Sequence, residues 1–533
     1  MRKIFFSSSE WGAAAFSAAL LIISFPKFEQ FFFAWIALVP LMVVITRRPS
    51  PLRAFILGWA AGSVFFYVSC YWLTYSMIHY GGLPTVLAYL LLVPGALVVG
   101  IFPGLFALLL ALAVRKWGTE AVLLAPIFWA ACEWIRLGVT GQLWNALGYS
   151  QAYHPWLIQA ATWGGVYAVS FLIVAFNSAI TLFIVKHTQR AILAGAMTIL
   201  FVVIVIAWST VEDTSKYSFD LGSVSVVAVQ PNVPMTLVKS ADETKELLER
   251  HLLLSKHGLQ LASQHAPLLV VWPESPMNFT YASDKSFQEL VANFTKENHT
   301  SLLFNSLEPA PGGGAYNSAL LINEEGRLIS QYDKIRLMPF GEYVPLPHWI
   351  PGASLISGLV GDFTPGTQYT TMPVGDRRLG VFICIESAYP WIARTLVNNG
   401  ATGLINISND GYLGPTAVMR QHLANVIFRA VENSTPIVRV TNTGLSAEIG
   451  FDGTVLQSTG GFQTDVRPFY FTRFRTGNTF YTKHGDLFVQ ICALLTLILL
   501  LAISKEFIVG AALRGRPSRS KFIAGGHGVP PLQ

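Results

Sequence analysis

Long apolar stretches separated by short polar ones fill the first 210 residues, and beyond them the pattern changes. Seven such stretches, about Trp11–Ser24, Phe31–Ile45, Phe55–Met77, Val86–Val114, Ala121–Ile135, Gly165–Val185 and Ala191–Trp208, are joined by an eighth, about Leu487–Ile503, near the C-terminus. Crossing the hydrocarbon core of a bilayer takes about 20 mainly apolar residues in a helix. The pattern therefore predicts a polytopic α-helical membrane protein with about eight transmembrane helices, of which the first two are short enough to form a hairpin that does not fully cross. Between residues 211 and 485 the period shortens. Runs such as Val224–Val229, Leu268–Trp272, Leu302–Phe304, Leu379–Ile385, Leu404–Ile407 and Ile437–Val440 have the length and β-branched content of strands. Ser240 followed by Glu243 opens a helix running to about Ala262 as a capping box, and Val418–Asn433 reads as a second long amphipathic helix. Asn323–Gly326 and Asp452–Gly453 carry the turn chemistry of hairpins. Strands alternating with helices predict a layered α/β domain.

Composition agrees with lipid as the solvent for much of the chain: of 533 residues 52% are hydrophobic and only 12% charged, against about 25% charged in an ordinary soluble domain. Disorder is excluded. So is a disulfide-stapled scaffold, because Cys70, Cys132, Cys384 and Cys492 are scattered through apolar surroundings. The net charge of +6 is not clustered as a nucleic-acid face would need. Instead it sorts the loops. With Arg2 and Lys3 cytoplasmic, alternate loops carry Arg47, Arg48 and Arg53, then Arg115 and Lys116, then Lys186 and Arg190, and the tail adds Lys505, Arg514, Arg516, Arg519 and Lys521. By the positive-inside rule this predicts a membrane domain over 1–210 with about seven helices, an extracytoplasmic domain over 211–485, a C-terminal transmembrane helix over 486–505 and a basic, disordered cytoplasmic tail over 506–533. A cleaved signal peptide is the weaker reading, because the first apolar stretch is followed by more of the same.

Few residues in the middle domain carry chemistry. Cys384 ends an apolar run and is followed by Glu386, Ser387 and then Pro390, which opens a helix. A strand-to-helix elbow there would expose a nucleophile near helix N-termini that favour a thiolate; a buried core thiol is the equal alternative. Glu274 directly follows the apolar run ending in Trp272 and Pro273, so it is either a carboxylate at a strand's carboxyl end, with a raised pKa, or a turn cap. Lys334, with Glu342 eight residues on, reads by itself as a surface charge.

Taken together, Trp-Pro-Glu at 272–274, Tyr-Asp-Lys at 332–334, Pro-Phe-Gly-Glu at 339–342 and Cys-Ile-Glu at 384–386 resemble the nitrilase, or carbon–nitrogen hydrolase, superfamily with its Glu-Lys-Cys triad. Asn406–Asp410, Gln421–His422, Arg429–Ala430 and Thr441–Gly444 continue the likeness. With membrane spans on both sides, the chain over about residues 10–505 resembles the bacterial apolipoprotein N-acyltransferase family. The resemblance implies an α-β-β-α sandwich inserted in a membrane protein of the bacterial inner membrane, on its periplasmic face. It implies Cys384 as nucleophile, Glu274 as general base and Lys334 as the cation for the oxyanion, with Glu342 and Glu386 in support. The implied partners are a phospholipid acyl donor such as phosphatidylethanolamine and a diacylglyceryl-apolipoprotein acceptor, and no metal or cofactor is implied. Ile385, the lack of Trp in Val233–Ser240 and the pair Tyr412–Leu413 depart from the family pattern and bear on the substrate pockets.

Two rivals follow from the same residues: a membrane-bound amidase using the triad with water, and a non-enzymatic transporter or scaffold. Glu133 and Arg136, at the end of the fifth span, read either as an interfacial ion pair with a functional role or as a snorkelling helix anchor.

Overall fold

A computed structural model describes residues 6–210, 217–218, 224–236, 239–262, 268–339, 341–343, 363–471, 474–475 and 478–514. Of the expected spans, six lie on helices long and apolar enough to cross a membrane: Pro51–Ser69, Thr85–Trp117, Thr119–Thr140, Ala161–Val185, Gln189–Ser209 and Leu487–Ser504. The first two expected spans are shorter. Ser8–Ser24 has 17 residues, which at about 1.5 Å per residue rises roughly 26 Å and falls short of a core of about 30 Å. The chain returns through a 3-10 turn at Phe31–Trp35 and a helix over Val39–Arg47. The last helix continues to Arg514, beyond the expected end of the span, and residues 515–533 of the expected tail lie outside the described residues.

The expected span over Phe55–Met77 is two helices, Pro51–Ser69 and Leu73–His79, separated at Cys70. No proline causes the break. The carbonyl freed at Ser69 is met by the Gln421 side-chain amide, 3.0 Å away, and Trp72 donates its indole N–H to the same side chain. A helix interrupted in a membrane domain must have its backbone groups satisfied by protein, and here a side chain from the α/β domain does it. Pro51–Ser69 packs closely along Thr85–Trp117 because small residues line the seam: a Cβ on Gly100 would lie 2.1 Å from Ser63 Oγ.

The α/β domain holds two six-stranded sheets. The first runs Asp465–Tyr470, Ser225–Gln230, Leu268–Val271, Ser301–Pro309, Ala315–Ile322, Leu328–Asp333; the second runs Val455–Ser458, Ala447–Ile449, Ile437–Thr441, Gly403–Ser408, Arg377–Ile383, Thr371–Val374. Their inner faces bury one apolar layer that includes Val226, Leu269, Val381 and Ile405. Helices Ala241–Leu261 and Lys285–Glu297 cover the outside of the first sheet, and Ser240 Oγ accepts the Glu243 N–H at 3.1 Å as the sequence predicts. Helices Pro390–Asn398 and Val418–Asn433 cover the second sheet.

This last layer has no free face. Apart from Met419 and Arg420, every residue of Val418–Asn433 is buried, and its apolar side chains share one core with the membrane helices. The helix expected to be amphipathic is thus enclosed on both sides: its polar residues Gln421, Arg429 and Glu432 face protein. Arg429 pairs with Glu432 at 2.8 Å, and Glu432 accepts the backbone N–H of Val166 in the membrane domain at 3.1 Å.

Candidate active site

Strand Arg377–Ile383 ends at an elbow. Cys384 has φ 51°, in the left-handed region, which costs a non-glycine residue about 1 kcal/mol or more. Two side chains hold it there. The Glu386 carboxylate accepts the Ile383 N–H at 2.6 Å, and His422 Nε2 lies 3.0 Å from the Cys384 carbonyl. Because that carbonyl can only accept, Nε2 is the donor in this contact. His422 is fixed in turn by Asp410, 2.7 Å from Nδ1, and Asp410 is paired with the buried Arg439 at 2.9 Å. Burial would raise the Asp410 carboxyl, but Arg439 and His422 outweigh it and hold it at about 2.

Glu274 lies just beyond strand Leu268–Val271 and Lys334 just beyond strand Leu328–Asp333, so two strands of one sheet, with two others between them, deliver both to the elbow of the other. The Lys334 ammonium is buried, 3.2 Å from Glu274 Oε1 and 2.9 Å from Glu342 Oε1. Burial alone would push it down; the two carboxylates prevail and keep it protonated, well above the usual lysine range. Asn317 repeats the bridge from the next strand, its amide donating to Glu274 Oε1 at 2.8 Å and Glu342 Oε1 at 2.7 Å. Glu342 also accepts the Met338 N–H. An ammonium and an amide thus clamp two carboxylates.

Glu386 ties the two sheets together. It accepts from Tyr332 Oη at 2.9 Å, from the backbone N–H groups of Ile335 and Arg336 at 2.8 and 3.1 Å, and from Ile383. Burial pushes its carboxyl up to about 7 against those donors.

The Cys384 thiol is half-buried and pushed up to about 12, first by burial and then by the Glu274 charge; Lys334 and a contact with Ser408 pull the other way without prevailing. The ease of ionisation expected at an elbow is therefore overridden. The resting group is a thiol, and it needs a base to take its proton. Among the described residues no group of three His, Cys, Asp or Glu is placed to hold a metal ion.

All five sequence-predicted residues meet here. Asn317 and Arg439 were not found from sequence, since an Asn within a strand and an Arg in an apolar one carry no motif. Glu133 and Arg136 do not snorkel. Both are buried in helix Ala125–Thr140 and brace the following loop, Glu133 accepting from Trp129 and the Leu147 N–H and Arg136 donating to the Trp144 carbonyl.

Two facing sheets with a Glu, a Lys and a Cys converging between them, built onto a helical membrane domain, define a nitrilase-like membrane protein. Residues 17–179 match the family described as Apolipoprotein N-acyltransferase N-terminal domain, and residues 224–467 match Carbon-nitrogen hydrolase. The apolipoprotein N-acyltransferase of Geobacter metallireducens is 31% identical over 90% of this chain and 92% of its own length, and that of Chlorobaculum tepidum 27% identical over 89% and 93%. The chain belongs to the apolipoprotein N-acyltransferase family and is an acyltransferase enzyme. Among solved structures, Saccharomyces cerevisiae Nit3, of the nitrilase superfamily, is similar over 47% of this chain and 90% of its own, with 18% identity and a TM-score of 0.37.

Proposed function

We propose that the enzyme moves an acyl chain from a membrane phospholipid, such as phosphatidylethanolamine, to the α-amine of the S-diacylglyceryl-cysteine that begins an apolipoprotein, through a thioester on Cys384. Glu274 takes the thiol proton as sulfur bonds to the ester carbonyl carbon. The negative charge forming on the carbonyl oxygen is met by the Lys334 ammonium, a cation already in place and protonated. The intermediate collapses by breaking the C–O ester bond, and Glu274 returns the proton to the departing lysophospholipid. In the second half the acceptor amine bonds to the thioester carbon and gives its proton to Glu274; the C–S bond breaks, the amide leaves and the sulfur is reprotonated. Glu342 and Asn317 position Lys334 and Glu274, and Glu386 holds the segment after Lys334 against the elbow.

The observation that carries this reading is the convergence of Glu274, Lys334 and Cys384 in a domain whose outer helix is part of the membrane domain's own core. Both substrates are lipid-anchored, which accounts for a nitrilase-like domain fused to a membrane surface. The family resemblance supports a bacterial inner-membrane location, and the loop charges favour residues 211–485 as a periplasmic domain, flanked by the membrane domain at 1–210, the span at 486–505 and the tail at 506–533.

Intact mass measurement of detergent-purified protein incubated with phosphatidylethanolamine tests it. An acyl-sized increment that neutral hydroxylamine removes and a Cys384→Ala variant lacks is the expected result. Release of free fatty acid without need of an amine acceptor would assign the site to a hydrolase instead.

A further inference from the structure

An open cleft of about 540 Å³ lies where the end of helix Ala125–Thr140, the start of the last helix and the α/β domain meet. Arg336 and Trp391 line one side, Asp486 and Trp134 another, and Gly138 and Val139 the apolar edge. Both membrane helices reach their ends here, so the cleft opens at the level of lipid headgroups, where tryptophans are favoured. Val139 is 69% exposed and offers a lipid-facing lip.

The charges in this cleft have no work in the acyl-transfer chemistry. The exposed Arg336 guanidinium lies over the Trp391 ring at 5.2 Å and the Tyr389 ring at 5.8 Å. Asp486 accepts the Trp134 indole N–H and the Tyr481 hydroxyl, both at 3.2 Å. Neutral donors fix the carboxylate without cancelling its charge. Among the described residues no carboxylate pairs with Arg336 and no cation with Asp486. A guanidinium over aromatic rings with no carboxylate partner keeps its N–H groups for a phosphate, and a carboxylate with no ion-pair partner within 4 Å can take an ammonium. Arg336 follows Lys334 by two residues, and its backbone N–H donates to Glu386 behind the elbow, so the cleft wall and the site share one segment of chain.

We propose that this cleft holds the zwitterionic headgroup of the donor phospholipid, its phosphate on Arg336 and its ammonium toward Asp486; the assignment rests on the phospholipid-donor reading above. Apolar acyl carbons then lie along the Val139 edge.

Binding is measured separately from chemistry with full-length Cys384→Ala protein in a neutral detergent, titrated with short-chain phosphatidylethanolamine, phosphatidylglycerol and diacylglycerol and read by tryptophan fluorescence and native mass spectrometry. Arg336→Gln should weaken both phospholipids about ten-fold, the loss of roughly one charge-assisted hydrogen bond, with little change for diacylglycerol. Asp486→Asn should weaken phosphatidylethanolamine and spare phosphatidylglycerol, which has no ammonium. Val139→Glu, at an exposed position in the last turn of its helix, should weaken both phospholipids by placing a negative charge beside the phosphate, and Val139→Gln should not. Unchanged affinities, or equal losses for all three lipids, overturn the assignment. If the binding pattern holds but no thioester forms in the wild type, the cleft stands and the donor chemistry falls; a thioester with unaltered variant affinities gives the reverse.

Discussion

Trp72, at the break in a membrane helix, donates its indole N–H to Gln421 Oε1 at 3.0 Å, and Gln421 is the residue before the His422 that holds the Cys384 carbonyl. Trp144 donates to the same oxygen at 2.9 Å, while the amide nitrogen serves the Pro26 and Ser69 carbonyls. One buried side chain from the α/β domain therefore satisfies four groups of the membrane domain.

Gln421→Leu would strand those groups, and each unsatisfied buried polar group costs about 1–3 kcal/mol. A clear fall in the thermal midpoint of the detergent-solubilised protein is expected, with slower thioester formation as His422 loosens. Trp72→Phe, which removes one donor and leaves Trp144, should cost only about 1 kcal/mol. An unchanged midpoint in Gln421→Leu would show that the interface is held elsewhere.

Glu274 has opposite effects on the thiol, and one variant separates them. Its charge helps push Cys384 up to about 12, so Glu274→Gln should lower the apparent pKa seen in the pH dependence of iodoacetamide alkylation. The same variant lacks the base, and acylation by phospholipid should fall by about 10² or more. Should alkylation shift to higher pH, the assigned electrostatics would be wrong.

Lys334→Met leaves the Glu274 and Glu342 carboxylates together with no ammonium between them. Loss of a preorganised charge at a developing oxyanion costs about 10²–10³ in rate. The expected signature is a thioester yield that collapses at pH 7 while the protein remains folded by circular dichroism. Rates within a few-fold of wild type would remove Lys334 from the mechanism.

Glu386 sets a pH dependence with a definite sign. Burial raises its carboxyl to about 7 in the folded protein, against about 4.3 in an unfolded chain. Folding takes up a proton in that window, so this group's contribution to stability declines as pH rises from about 4.3 to about 7. Glu386→Gln cannot titrate and should lack that decline, which melting curves collected from pH 5 to 8 will reveal as a flatter profile than wild type. It should also be less stable throughout, because an amide oxygen cannot serve all the donors now on the carboxylate.

Gly444→Ala tests the brace behind the nucleophile. A Cβ there would lie 2.1 Å from Asp410 Oδ2, and Asp410 has no room to yield while Arg439 and His422 hold it. Overpacking of this kind costs about 1–3 kcal/mol. Cys384 acylation should slow as His422 shifts, whereas the mass of any adduct stays the same; full wild-type rates would mean the brace is dispensable.

Hydrophobic periodicity and turn or cap chemistry are local properties; the first was enough to separate membrane helices from strands and to set Cys384 at the end of a strand, and the second to place the Ser240 cap and both hairpins. Glu274, Lys334 and Glu342 were legible only as motifs, since nothing near them in sequence distinguishes a buried triad member from a surface charge. Tertiary structure decided the rest. Asn317 reaches Glu274 across 43 positions and Gln421 reaches Trp72 across 349, separations at which no window of sequence carries a signal. The same holds for the thiol: a strand end beside a helix predicts an easily formed thiolate, but burial and a carboxylate brought in from the opposite sheet reverse it. Glu133 and Arg136, three apart, offered a snorkelling helix anchor in sequence, and the fold buried both and gave them hydrogen-bond partners in the following loop, since a buried polar group takes the partner that packing brings within reach.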